Sequence, residues 1–156
     1  MKYHILAFGC QFNKANAEKI SQLLIKKGYS QSPTPDGADL IIILMCSVRQ
    51  KSVDKVVNKI KNLKLKMKNH NQKSKIIVAG CVLKADRKTF KDLGADVKNF
   101  KDLEKFPSIT GLITIGKGCN NFCSYCVVPY TRGREKYRSQ VAIIKEAQGL
   151  IKNGLE

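Results

Sequence analysis

LIIILMC, residues 40–46, is apolar at every position. A strand with one wet face alternates polar and apolar side chains. An unbroken apolar run suits a strand covered on both faces, as in the middle of a parallel sheet. The strand expected here is Leu40–Leu44, and it leads to Cys46. That ending recurs: His4–Phe8 (HILAF) leads through Gly9 to Cys10, and Ile76–Ala79 (IIVA) leads through Gly80 to Cys81.

A helical pattern follows each run. Ala17, Ile20, Leu23, Leu24 and Lys27 recur at helical spacing behind Cys10, with Gly28 placed as a C-cap. PTPDG, residues 33–37, signals a turn. Behind Cys46, Val53, Val56, Val57, Ile60, Leu63 and Met67 mark one helix face, and Lys51, Lys55 and Lys59 fall opposite. A shorter helix around Arg87–Leu93 ends at Gly94. Apolar strands alternating with helices predict an α/β fold, a doubly wound parallel sheet with helices on both faces. All strands of such a sheet end on one edge, where ligands bind. Cys10, Cys46 and Cys81, expected one or two residues past a strand end, should therefore converge. Any one of them alone would be better explained as a small buried residue, but three in the same topological slot favour a shared site.

Residues 1–95 form the expected N-terminal domain. Residues 96–111, with Pro107 and Gly111, read as a linker. In 112–156 a strand, Leu112–Ile115, runs into GCNNFCSYC (118–126), which holds Cys119, Cys123 and Cys126. Val141, Ile144, Ala147, Leu150 and Ile151 then mark a helix face closed by Asn153-Gly154. One βα unit cannot bury itself, and a (β/α)₈ barrel needs roughly 200 residues or more. The expectation is the opening unit of an incomplete barrel.

Lysine and arginine outnumber acids 29 to 12, for a formal charge of +17, and 43% of the 156 residues are hydrophobic. That content excludes disorder as the default, and the charge favours a polyanionic partner such as RNA. A single lysine run is accounted for as a solvated helix face. No run of eighteen apolar residues suggests a membrane span. MKYHILAFGC lacks a small-residue cleavage site and reads as a strand, not a signal peptide. The expected compartment is the cytoplasm, where six cysteines are reduced and serve as metal ligands or catalytic groups.

The spacing C-x3-C-x2-C differs from a structural zinc site, which pairs C-x2-4-C with a second pair downstream. His4 and His70 lie far upstream and are expected to be ordinary. A 4Fe–4S cube used only for electron transfer takes four protein thiolates. Three leave one iron open to another ligand, as catalytic zinc keeps an open position.

C-x3-C-x2-C with an aromatic, Tyr125, before the last cysteine resembles the radical S-adenosylmethionine enzymes. GCQFN (9–13), CSVRQ (46–50), GC (80–81) and CSYCVVPYTRGRE (123–135) resemble the methylthiotransferases. More particularly they resemble the tRNA 2-methylthio-N6-isopentenyladenosine synthase branch. The resemblance implies two 4Fe–4S clusters, an auxiliary one on Cys10, Cys46 and Cys81 and a radical-generating one on Cys119, Cys123 and Cys126. It implies S-adenosyl-L-methionine as cofactor, with Tyr125, Arg132 and Arg134 in its binding region. Arg138, in the same TRGREKYRS stretch, reads by itself as a solvated helix start. The implied reaction is radical insertion of a methylthio group at C2 of an adenosine beside the anticodon. Implied partners are tRNA and an electron-donor protein, with a monomer expected and no membrane. The chain looks like an N-terminal portion of such an enzyme. Family members usually carry Asn-Thr before the second cysteine, where Leu44-Met45 stand here. Two alternatives stay open: a basic iron–sulfur or zinc module that binds RNA without catalysis, and a ribosomal-protein methylthiotransferase, against which Gln11 and Asn13 speak.

Overall fold

A computed structural model describes residues 1–48, 50–71, 73–98 and 112–152. The first segments build the expected α/β layer. β1 (Lys2–Ala7), α1 (Gln11–Lys26) and β2 (Ser30–Gln31) are followed by β3 (Leu40–Cys46), α2 (Gln50–Asn69), β4 (Lys75–Cys81), α3 (Lys84–Asp92) and β5 (Asp96–Val97). Among the described residues the sheet has five strands in the order β2-β1-β3-β4-β5, every pair parallel. The chain winds one way from β1 to β2 and the other way from β3 to β5. The reversal lies between β1 and β3, the place where doubly wound sheets open a crevice at the strands' carboxyl ends.

β3 is buried at all seven positions, and period-two alternation divides it between two cores. Ile41, Ile43 and Met45 pack with Val53, Val56, Ile60 and Leu63 of α2 and Phe90 of α3. Leu40, Ile42 and Leu44 pack on the other face with Tyr3 and with Ile20 and Leu24 of α1. Each such side chain contributes roughly 1.5–3 kcal/mol by burial. The expected face of α2 is therefore the one that is used, and Lys51 and Lys55 lie exposed. α1 closes at Lys27, and Gly28 follows with φ 81°, the left-handed position that glycine takes without a Cβ penalty.

Several expectations are corrected. Cys46 and Cys81 are the last residues of their strands, paired in register, while Cys10 stands three residues past β1 as the N-cap of α1. Asp96–Val97 pairs with β4 as a fifth strand, where the sequence suggested the start of a linker. Pro107, Gly111 and the closing Asn153-Gly154 lie outside the described residues, as do Arg49 and 155–156. Leu112–Ile115 forms no strand. An apolar run becomes a strand only where another pairs along its length; here Arg138 N reaches Ile115 O at 2.9 Å, and among the described residues no strand pairing extends further back along the run. The pairing falls one step later, in an antiparallel ribbon of β6 (Gly116–Lys117) and β7 (Lys136–Tyr137). Between them lies α4 (Val128–Arg132), and α5 (Gln140–Lys152) follows. Of the face expected on α5, Leu150 is buried, but Val141, Ile144 and Ile151 are 76%, 47% and 68% exposed.

α5 is tied to the first layer by charge. Lys19 of α1, 1% exposed, lies 4.0 Å from Glu146, whose other oxygen accepts from Arg138. Arg138 also donates to Thr114 O at 3.0 Å, so it is an internal anchor and not a solvated helix start. Removing one member of a buried pair strands the other charge and costs about 3–5 kcal/mol, whereas an apolar replacement of similar volume can be neutral. Glu146→Ala should therefore destabilise the chain by about 3 kcal/mol in urea unfolding followed by circular dichroism. Lys19→Met, which leaves Glu146 with Arg138, should cost far less.

Candidate metal centre

Three cysteines meet at the carboxyl edge of the sheet. Cys46 and Cys81 are direct partners on neighbouring strands, and Ser47 N donates to Cys81 O at 2.8 Å. Ser47 Oγ donates to Asp86 at 2.6 Å and accepts from Leu83 N at 3.2 Å, which ties the turn after β3 to the turn after β4. Cys10 approaches from β1: a Cβ on Gly9 would stand 3.1 Å from Cys46 Cβ.

Asn13 locks this arrangement from beneath. Fully buried, it donates from Nδ2 to Phe8 O at 2.8 Å and Met45 O at 2.9 Å, joining the ends of β1 and β3. Its Oδ1 has no hydrogen-bond partner. Gly80 has φ 104°, and a Cβ there would collide with the Met45 carbonyl while standing 3.2 Å from Asn13 Oδ1. Leu44-Met45 thus leaves its side chains in the two cores and offers the site only backbone.

The sequence reading missed the group that caps this triad. Arg132, at the end of α4, donates from Nε to Cys81 Sγ at 2.9 Å and from Nη2 to Cys10 Sγ at 3.6 Å. Its guanidinium stacks 4.3 Å above the Phe12 ring centroid, a contact that arginine's planar head allows. Arg132 was expected in the cofactor region of the second triad; it lies instead on the first. No spacing rule links a residue to partners 51 and 122 positions upstream, so only the fold could reveal it.

The thiols differ accordingly. Burial raises the Cys10 thiol, but the backbone N–H groups of Asn13 and Phe12, followed by Arg132, outweigh it and leave it below the usual range. Burial pushes Cys81 up, Arg132 opposes, and the neighbouring Cys46 and Cys10 add to the rise.

The second triad sits in the loop between β6 and α4. Cys119 N donates to Gly133 O at 3.1 Å, Asn121 N to Cys119 Sγ at 3.4 Å, and Cys126 N to Cys123 O at 3.0 Å. Gly118, φ 81°, lies so close to the Arg134 carbonyl that a side chain would not fit. Phe122 meets Tyr130 edge-on at 5.8 Å, and Arg134 stacks 4.6 Å from the Phe122 centroid. Tyr125 is 87% exposed and stands free beside Cys126. His4 donates from Nδ1 to the Ser32 carbonyl at 2.8 Å, and His70 is exposed at the end of α2.

Among the described residues, no group of three or more His, Cys, Asp or Glu could hold one metal ion. A single zinc requires all its donors around one centre, whereas a four-iron cube takes one thiolate per iron. The first triad fits the latter: three thiols on one edge, two glycines that keep it clear, and an unpartnered buried oxygen beneath.

Residues 2–100 match the family described as Uncharacterized protein family UPF0004, and the chain belongs to that family. It is also 35% identical, over 99% of this chain and 42% of the relative, to the tRNA-2-methylthio-N(6)-dimethylallyladenosine synthase of Thermotoga petrophila. The proteins of the same name from Dehalococcoides mccartyi and Erythrobacter litoralis are 36% and 34% identical, each over 97% of this chain and over 40% and 42% of their own lengths. The methylthiotransferase resemblance is borne out. The chain spans about two-fifths of the length of the curated relatives it matches.

Cys10 is exposed, whereas Cys46 and Cys81 are buried. In the reduced, metal-free chain Cys10 should therefore be the fastest of the three to react with iodoacetamide at neutral pH. Peptide mass spectrometry against time reads the order, and equal rates at all three would contradict the closed sheet edge.

Proposed function

We propose that the chain holds two 4Fe–4S clusters, one on Cys10, Cys46 and Cys81 and one on Cys119, Cys123 and Cys126. In this reading the second also takes S-adenosyl-L-methionine. The activity to which the chain contributes is insertion of a methylthio group at C2 of an N6-dimethylallyl (isopentenyl) adenosine in tRNA. When bound, cluster and cofactor supply a carbon radical, the tool suited to a C–H bond that acid–base chemistry does not reach.

The observation that carries this reading is the convergence of Cys10, Cys46 and Cys81 at the switch-point edge. The second triad in the same chain leaves none of the six cysteines over. The relatives' printed names support the tRNA substrate. The chain's own residues supply thiolates, a closed floor under the first triad pinned by Asn13, and an open face at the second. Tyr125 and Arg134 are available to the cofactor there. The charge of +17 suits a phosphate backbone, and exposed Lys51 and Lys55 belong to the surface that tRNA would meet. The reading includes an electron-donor protein, a monomeric chain and the cytoplasm. No described helix is long and apolar enough to cross a membrane.

Anaerobic reconstitution tests the assignment. About eight irons with matching sulfide are expected, four per cube, and replacing Cys119, Cys123 and Cys126 together by alanine should leave about four. Zinc without sulfide would overturn the reading. For the substrate, tRNA from cells lacking their own methylthiolation should gain the 2-methylthio nucleoside when the full-length gene is supplied.

A further inference from the structure

Arg132 makes three contacts at once, with Cys81 Sγ, Cys10 Sγ and the Phe12 ring. Two fix the guanidinium in plane against the sulfurs, and the third holds it from above. It is half-buried and its described contacts include no carboxylate, so its charge is directed at the cysteines. It also stands only six positions after Cys126, at the end of the helix that leaves the second triad. One side chain thus belongs by sequence to one cysteine set and by contact to the other.

We propose that Arg132 is a positioning residue of the first triad, which donates hydrogen bonds to the sulfurs of the cluster held there and raises its reduction potential. This inference rests on the cluster assignment above. The physical reason is that an added electron increases negative charge on a thiolate-held cluster, and a cation with N–H···S bonds stabilises that charge. The same contact holds the segment after Cys126 to the edge of the sheet, so loading of one site is coupled to the geometry of the other.

The test uses the full chain with Cys119, Cys123 and Cys126 changed to alanine, so that only the first site contributes signal. Arg132→Gln and Arg132→Lys are compared in that background by iron and sulfide content, circular dichroism and a dithionite titration followed by electron paramagnetic resonance. With four irons retained, the midpoint should shift to more negative values in Arg132→Gln and by less in Arg132→Lys, which keeps the charge. Loss of iron from Arg132→Gln but not from Arg132→Lys, with both folded, would also support the role. An unmoved midpoint with four irons in both variants overturns it and leaves the cluster assignment standing. A background chain that is folded but takes no iron or sulfide overturns the assignment itself.

Discussion

The register between β3 and β4 is the constraint on which the site depends. Leu40 faces Lys75 at one end and Cys46 faces Cys81 at the other. A slip of one residue would send Ile41, Ile43 and Met45 to the face now filled by Leu40, Ile42 and Leu44. Both faces of β3 are packed, so either misregistration would disrupt two cores together. The apolar packing of the strand therefore positions thiols that contribute little to the packing themselves.

Polar ties complete what packing begins. Asn13 stitches the ends of β1 and β3 with two buried hydrogen bonds, and Ser47 stitches the turns after β3 and β4. Such bonds are modest when made but costly when a buried partner is left empty. They select one arrangement of the loops more than they add stability. Lys19 with Glu146, and Arg132 with the cysteines, extend the same logic to the later segment. The described part of that segment buries few large side chains of its own, with Leu150 the buried position on α5. Charge and hydrogen bonds thus carry more of its attachment than apolar area does.

The two triads differ in how they are held. The first lies on strand ends and a helix start, where rigid elements fix each thiol. The second occupies a loop framed by a two-residue ribbon and a five-residue helix, and its aromatic neighbours are exposed. An open, loop-borne triad suits a site that admits a small molecule, whereas the first, under Arg132, is closed on one side by the protein itself.

The sequence by itself determined the three strands that end in cysteines, the helix behind each and the two sets of three cysteines, but not the short edge strand Ser30–Gln31. Local signals carried all of these: an apolar run, a helical period, a glycine after a helix, a fixed cysteine spacing. It also carried the inference that Cys10, Cys46 and Cys81 converge, because a parallel sheet puts all its strand ends on one edge. Only the tertiary structure decided that Cys46 and Cys81 lie within their strands, that Asp96–Val97 adds a fifth strand, and that Leu112–Ile115 does not pair. Strand limits depend on hydrogen-bond partners distant in sequence. The place of Arg132 was decided there too, since a guanidinium 51 residues from one sulfur and 122 from the other leaves no periodic trace and finds them only when the chain has folded.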